Sequence, residues 1–186
     1  ARVDNPRNLS DAEIKAIAAR GGVVHIVAFS SYLLPPTPEF ERALVALRAK
    51  YGVADDAGVA RLDAERGSAY QAEYLGLLRG LPKANVGHLV DAIDYAVKLV
   101  GVEHVGIGTD FEHGGGVAGF ANEGEAPNVT RELLRRGYGS DDVARIWGGN
   151  WLRVFREVER QRRAPVAGAA AGAKGAGGAA ATSRLR

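Results

Sequence analysis

The chain contains no cysteine, which excludes disulfides, thiolate metal sites and cysteine nucleophiles. It contains no methionine, not even at position 1, so no targeting or lipidation signal is read from its start. It has no apolar run of about 18 residues, so no segment reads as a membrane-spanning helix. It lacks any His-x-His, His-Glu-x-x-His or His-x-Asp pair, and its four histidines are scattered. A catalytic zinc site takes three protein ligands, often histidines, so a self-contained zinc site is not expected.

Acidic residues are missing from the C-terminal stretch. Residues 164–186 carry Lys174, Arg184 and Arg186 and no acid, so the net charge of +2 is +3 from this stretch and −1 from the rest. The globular part therefore has no cationic surface of the kind nucleic acid requires, and no nucleic-acid partner is expected. Arg156, Arg160, Arg162 and Arg163 read as the solvated end of the last helix. Fifteen of the 23 residues from 164 to 186 are Ala or Gly. That composition cannot bury enough apolar surface to offset its ordering entropy and predicts a disordered tail.

The remaining 1–163 carries an α/β pattern. Ser10 to Glu13 is a capping box opening a helix that ends at Gly21-Gly22. Val23–Phe29 is an almost continuous apolar, β-branched run, as expected of a strand buried on both faces of a parallel sheet. His25 within it reads as a hydrogen-bonded core histidine rather than a ligand. Thr37-Pro38 starts a second helix running to about Tyr51. Residues 53–80 are polar and helical, and a further helix covers about Asn85–Val100, with His88 exposed in its first turn. A second strand, His104–Thr109, ends in Asp110 and is followed by a glycine-rich loop. Asn128, Ser140 and Asn150 read as caps of three final helices, the last with a buried face of Trp151, Val154, Phe155 and Val158. Only two strands are found, and two parallel apolar strands leave two open edges. The pattern therefore reads as part of a larger α/β body whose other strands lie upstream.

In parallel α/β folds ligands bind at the carboxyl ends of the strands. Asp110 lies at such an end, with Glu112 and His113 just after it. A carboxylate there can hold an ammonium or a metal, move a proton, or simply cap a turn. Neighbouring strand-end residues point in alternating directions, so these three are not expected to converge on one ion. Arg7, in Asn5-Pro6-Arg7-Asn8, can fork onto a carboxylate or stand as an exposed cation. Tyr32, just past the first strand, can contact a substrate or pack.

Together these motifs resemble the membrane dipeptidase (renal dipeptidase) family, the zinc peptidases of family M19, and most of all its bacterial members. Pro6-Arg7-Asn8-Leu9-Ser10-Asp11 resembles the family's "PRN" segment. The likeness continues through Gly21–Val24 and Ala28–Leu33. It is strongest over Asp91–Phe111, and it resumes at Asn128–Tyr138 and Ile146–Val154.

The resemblance implies the C-terminal portion of a (β/α)8 TIM-like barrel, with the two strands as its seventh and eighth. It implies a metallodipeptidase using two zinc ions, whose five ligands all lie upstream of Ala1, so no metal ligand carries over. Arg7 matches the arginine that binds the substrate's C-terminal carboxylate. Asp110 matches the strand-end aspartate given a proton-transfer role, and Tyr32 matches a tyrosine near the substrate. The family usually reads Asp-Phe-Asp-Gly where this chain has Asp110-Phe111-Glu112-His113, which bears on loop shape and substrate preference. The implied partners are a dipeptide and the missing N-terminal barrel half; a homodimer is left open, since the sequence does not give the oligomeric state. Family members are often exported or membrane-attached while others lack such signals, so no compartment is assigned. Two other readings stay open: a non-catalytic truncated or complementing barrel fragment, and another metal-dependent hydrolase on the same barrel.

Overall fold

The structure, a computed structural model, describes residues 3–163. The expected tail at 164–186 lies outside the described residues. The first helix, α1 (Asp11–Ala19), opens with the reciprocal capping box: the Glu13 N–H donates to Ser10 Oγ, and the Glu13 carboxylate accepts from the Ser10 N–H. Two satisfied amide donors fix where the helix begins. Strand β1 (Val24–Val27) leads into a single turn, α2 (Ser30–Leu33). Then α3 (Pro38–Tyr51) starts where Thr37 accepts from the Phe40 N–H and Pro38 occupies the first turn. Gly52 ends it in the left-handed region, at φ 69°.

The polar stretch that follows forms α4 (Asp56–Val59) and α5 (Ala64–Arg79), each capped by an aspartate at its N-terminus. Helix α6 (Val86–Val100) is capped by Asn85, and His88 closes that box with Nδ1 accepting from the Asn85 N–H. Far from being idle, His88 is half-buried and helps to set the helix start. Strand β2 (Val105–Gly108) follows, then α7 (Ala126–Arg135), α8 (Ser140–Ala144), a π-helical stretch at Arg145–Gly149, and α9 (Asn150–Arg163). No helix among the described residues is long and apolar enough to cross a membrane.

Among the described residues the sheet has two strands, parallel, with Val24 opposite Val105 and Val27 opposite Gly108. Strand alternation divides its faces. Val24, Ile26, Val105 and Ile107 join a core built with Leu89, Val90 and Ile93 of α6, Val129 and Leu133 of α7, Phe120 and Ile146. His25 lies on the opposite face and is exposed. A Cβ at Gly106 would sit 3.0 Å from the His25 ring, so glycine lets the ring lie over β2. The expectation of a core histidine is thus overturned, because alternation carries position 25 away from the helices. A second, smaller core joins α3 and α5 through Leu47, Tyr51 and Tyr70.

Four further expectations are corrected. Asn150 is no cap: the π-helical stretch runs straight into α9, and Asn150 is 3% exposed inside that junction. Its Nδ2 donates to the Val102 and Val105 carbonyls at 2.7 and 2.9 Å, tying α9 to β2. Asn128 lies within α7 and donates to the Gly119 carbonyl, and the residue before α8 is Gly139 rather than Ser140. The apolar stripe of α9 is largely open, with Trp151, Phe155 and Val158 at 49, 47 and 59% exposed. Trp151 and Phe155 stack on each other, 5.1 Å between ring centres. Periodicity showed that this face could be buried, but no described element covers it.

Ion pairs concentrate at one joint. Arg136, just after α7, reaches Asp91 and Asp94 of α6 at 2.7 Å and Glu132 at 2.8 Å. Tyr138 donates to Asp94 at 2.7 Å, and burial together with that bond pushes its phenol above the usual range.

Candidate functional site

The segment before α1 is pinned by two asparagines. Asn5 Nδ2 donates to the Ser31 carbonyl at 3.0 Å, and Asn8 Nδ2 donates to the Tyr32 carbonyl at 3.0 Å and to Val3 at 3.1 Å. The Arg7 N–H donates to Asn5 Oδ1 at 2.9 Å, which folds the Pro6-Arg7 turn on itself. The result sets Arg7 beside Tyr32. Both side chains line two adjoining hollows, of about 210 and 470 Å³. The smaller runs along β1, from Val24 to Val27, toward Ala92 and Tyr95 of α6. The larger opens past the end of β1 toward α3 and α5. Tyr32 is steadied by Phe29, whose ring stacks on it at 4.8 Å.

Asp110 stands at the end of β2. Its φ of 54° makes it the one non-glycine with positive φ among the described residues. Such a conformation costs an L-residue energy and clusters at functional sites. Its carbonyl accepts from the His113 and Gly115 N–H groups at 3.0 and 2.8 Å, so the turn closes over it. Its side chain makes no capping bond. The turn-cap reading of this carboxylate therefore fails. The carboxylate is 42% exposed, and His113 Nδ1 lies 3.8 Å from it. The loop beyond is tied to β1, where the Gly116 N–H donates to the Ala28 carbonyl at 2.6 Å.

The structure thus joins Arg7 and Tyr32 in shared hollows and sets Asp110 at the neighbouring strand end, outside the lining of those two hollows. Glu112 and His113 are exposed. Among the described residues no group of three or more His, Asp or Glu side chains could hold a metal ion. The donor set present therefore does not fit the zinc pair that the resemblance implies. Reading the sequence missed the positioning work of Asn5, Asn8 and Phe29. Two side-chain amides bracketing a Pro-Arg turn were the available signal.

Residues 1–167 match the family model of membrane dipeptidase, peptidase family M19. The chain belongs to this family. The M19 assignment agrees with its relatives. Dipeptidase aclJ of Aspergillus oryzae is 38% identical over 81 residues, covering 43% of this chain and 19% of that protein. Dipeptidase 3 of Rattus norvegicus is 36% identical over 89 residues, covering 47% and 18%. Among solved structures, the probable dipeptidase PvdM of Pseudomonas aeruginosa superposes with a TM-score of 0.80 at 43% identity, over 86% of this chain and 42% of PvdM. An amidohydrolase of the same organism shares the fold alone, with a TM-score of 0.52 at 24% identity, over 83% of this chain and 42% of that one. The M19 chain described here spans less than half of PvdM, and its aligned stretches span under a fifth of the two dipeptidases. The expected fold is borne out: an α/β arrangement with two parallel strands, matching a portion of a TIM-barrel dipeptidase.

Proposed function

We propose that this chain provides the substrate-holding side of a zinc-dependent dipeptidase, with its metal ligands supplied by barrel strands outside it. The carrying observation is the placement of Arg7 beside Tyr32 in a hollow at the carboxyl end of β1, in a chain of the M19 family. A planar guanidinium suits the free carboxylate that distinguishes a dipeptide from a longer chain's interior. Tyr32 offers a hydroxyl to the same substrate end. Asp110 takes a proton as water adds to the peptide carbonyl carbon and returns it to the nitrogen as the C–N bond breaks. Zinc held by residues outside this chain would supply Lewis-acid chemistry. No residue described here is assigned to hold it.

On this reading residues 1–186 alone neither bind zinc stoichiometrically nor hydrolyse dipeptides. Joining the upstream segment of PvdM to this chain is expected to create dipeptide hydrolysis. In the joined enzyme Asp110→Asn should lower kcat by about 10²–10⁴ with zinc content unchanged, and Arg7→Gln should chiefly raise KM. Full turnover in the Asp110→Asn variant would refute the proton-transfer role. Stoichiometric zinc in the isolated chain would refute the division of labour. Gel filtration of the joined enzyme reads whether it is a homodimer.

A further inference from the structure

We infer that the larger hollow is the pocket for the side chain of the substrate's C-terminal residue, and that it selects bulky apolar side chains. This rests on the dipeptidase reading above. The hollow measures about 470 Å³, and Arg7 and Tyr32 stand on its lining. Asn5, Ser30 and Ser31 add polar groups near Arg7, and most of the remaining wall is apolar or aromatic, with Phe29, Pro35, Phe40, Leu44, Tyr74 and Leu78 among it. Asp4 is the one acidic residue on that lining, and it is exposed. A volume of this size lies within the range of small-ligand pockets, which pair apolar walls with a few convergent polar groups.

The side chain has two hollows to choose from once its carboxylate is on Arg7. The smaller one runs along the edge of β1 that carries no strand among the described residues. In a closed barrel that edge pairs with the preceding strand, which takes up the space. The larger hollow is walled instead by α3 and α5, which belong to this chain. The two helices are held to each other by contacts of their own. Tyr51 and Tyr70 meet edge to face at 5.4 Å in the small core, and Tyr74 stacks with Tyr70 at 6.2 Å. Glu73 accepts from Lys50 and Tyr51 at 2.7 Å, joining α5 to α3 across their outer side. Phe40 and Tyr74, 6.4 Å apart, present one ring from each helix to the hollow. The helical pair therefore supplies one wall of the hollow, and its side chains set the depth of the pocket.

The test is ligand binding to the 186-residue chain, followed by NMR or calorimetry with N-acetyl-L-leucine and N-acetylglycine. Both present a carboxylate, and only one presents a side chain. N-acetyl-L-leucine is expected to bind at least about ten-fold more tightly, the scale of burying one aliphatic side chain. Arg7→Gln should weaken both ligands. Leu44→Trp, which fills the hollow, should bring the ratio to about one. Phe40→Ala, which widens it, should improve N-acetyl-L-tryptophan relative to the leucine ligand, and guards against misfolding of the first variant. Equal affinity for leucine and glycine ligands, binding of neither, or a ratio unmoved by both wall variants would overturn the inference. The two readings fail separately. A joined enzyme that hydrolyses dipeptides without apolar selection removes the pocket and leaves the reaction. Apolar selection in the isolated chain with no hydrolysis in the joined enzyme removes the reaction and leaves the pocket.

Discussion

Substituting Asp110 separates the energetic cost of its backbone from the work of its carboxylate. At φ 54° and ψ 29° the residue sits in the left-handed region. Asn shares the tolerance of Asp for this conformation, Ala does not, and Gly adopts it without steric cost. Ala should therefore be less stable than Gly at this position by about 1 kcal/mol, and Asn should match Asp within about 0.5 kcal/mol. With a urea m-value of about 2 kcal/mol/M, the Ala and Gly variants should differ in midpoint by about 0.5 M. Turnover follows a different order. In the joined enzyme all three variants lack the carboxylate and should fall together by about 10²–10⁴. Urea titration with a helix signal and a dipeptide hydrolysis assay read the two effects. Coincident midpoints for Ala and Gly would refute the backbone argument. Retained turnover in the Gly variant would refute the catalytic one.

The turn behind Asp110 offers a sharper perturbation. A Cβ at Gly115 would lie 2.2 Å from the Thr109 carbonyl oxygen and 2.5 Å from that of Asp110. Gly115→Ala should cost about 1–3 kcal/mol by overpacking, measured by thermal unfolding. Gly114→Ala meets open space and pays only for its φ of 85°, so it should cost less. Removing the Asn150 amide with Asn150→Leu leaves the Val102 and Val105 carbonyls without that donor. A loss of about 1–3 kcal/mol in urea unfolding is expected. Glu132 predicts an acid limb. Arg135, and then Arg136, hold its carboxyl at about 2 instead of 4.5. A depressed folded-state value means that this stability is fully present above pH 4.5 and is lost as pH falls toward 2. Glu132→Gln should flatten the fall in urea midpoint across that window, and an unchanged slope would count against the pairing.

The candidate site was readable as a proposal because its carriers are local, and the structure brings Arg7 and Tyr32 to shared hollows with Asp110 outside them. Arg7, Tyr32 and Asp110 stand in motifs whose order and spacing mark the family, and the end of an apolar strand is where a parallel fold binds ligands. Their surroundings were not legible. Arg7 and Tyr32 share their hollows through a segment that Asn5 and Asn8 tie to carbonyls 26 and 24 residues away. The left-handed turn at Asp110 depends on Gly115 closing back on it. Part of the wall of the larger hollow comes from α5, in the polar stretch at 53–80, and it joins Phe40 and Leu44 of α3 only because the two helices pack together.

The sequence by itself determined the elements and several of their starts: the capping box at Ser10, the Thr37-Pro38 entry to α3, the two β-branched strands and the helix beginning near Asn85. Each rests on bonds and periodicities spanning a few residues, which a chain carries wherever it is placed. Only the tertiary structure decided which faces those elements cover. His25 turned out to lie away from the helices, the stripe of α9 stayed open, and Asn150 left its capping role to bind β2. Periodicity states what a face is able to bury. Whether it is buried depends on which distant segment arrives to meet it, and that is settled by packing across the whole chain.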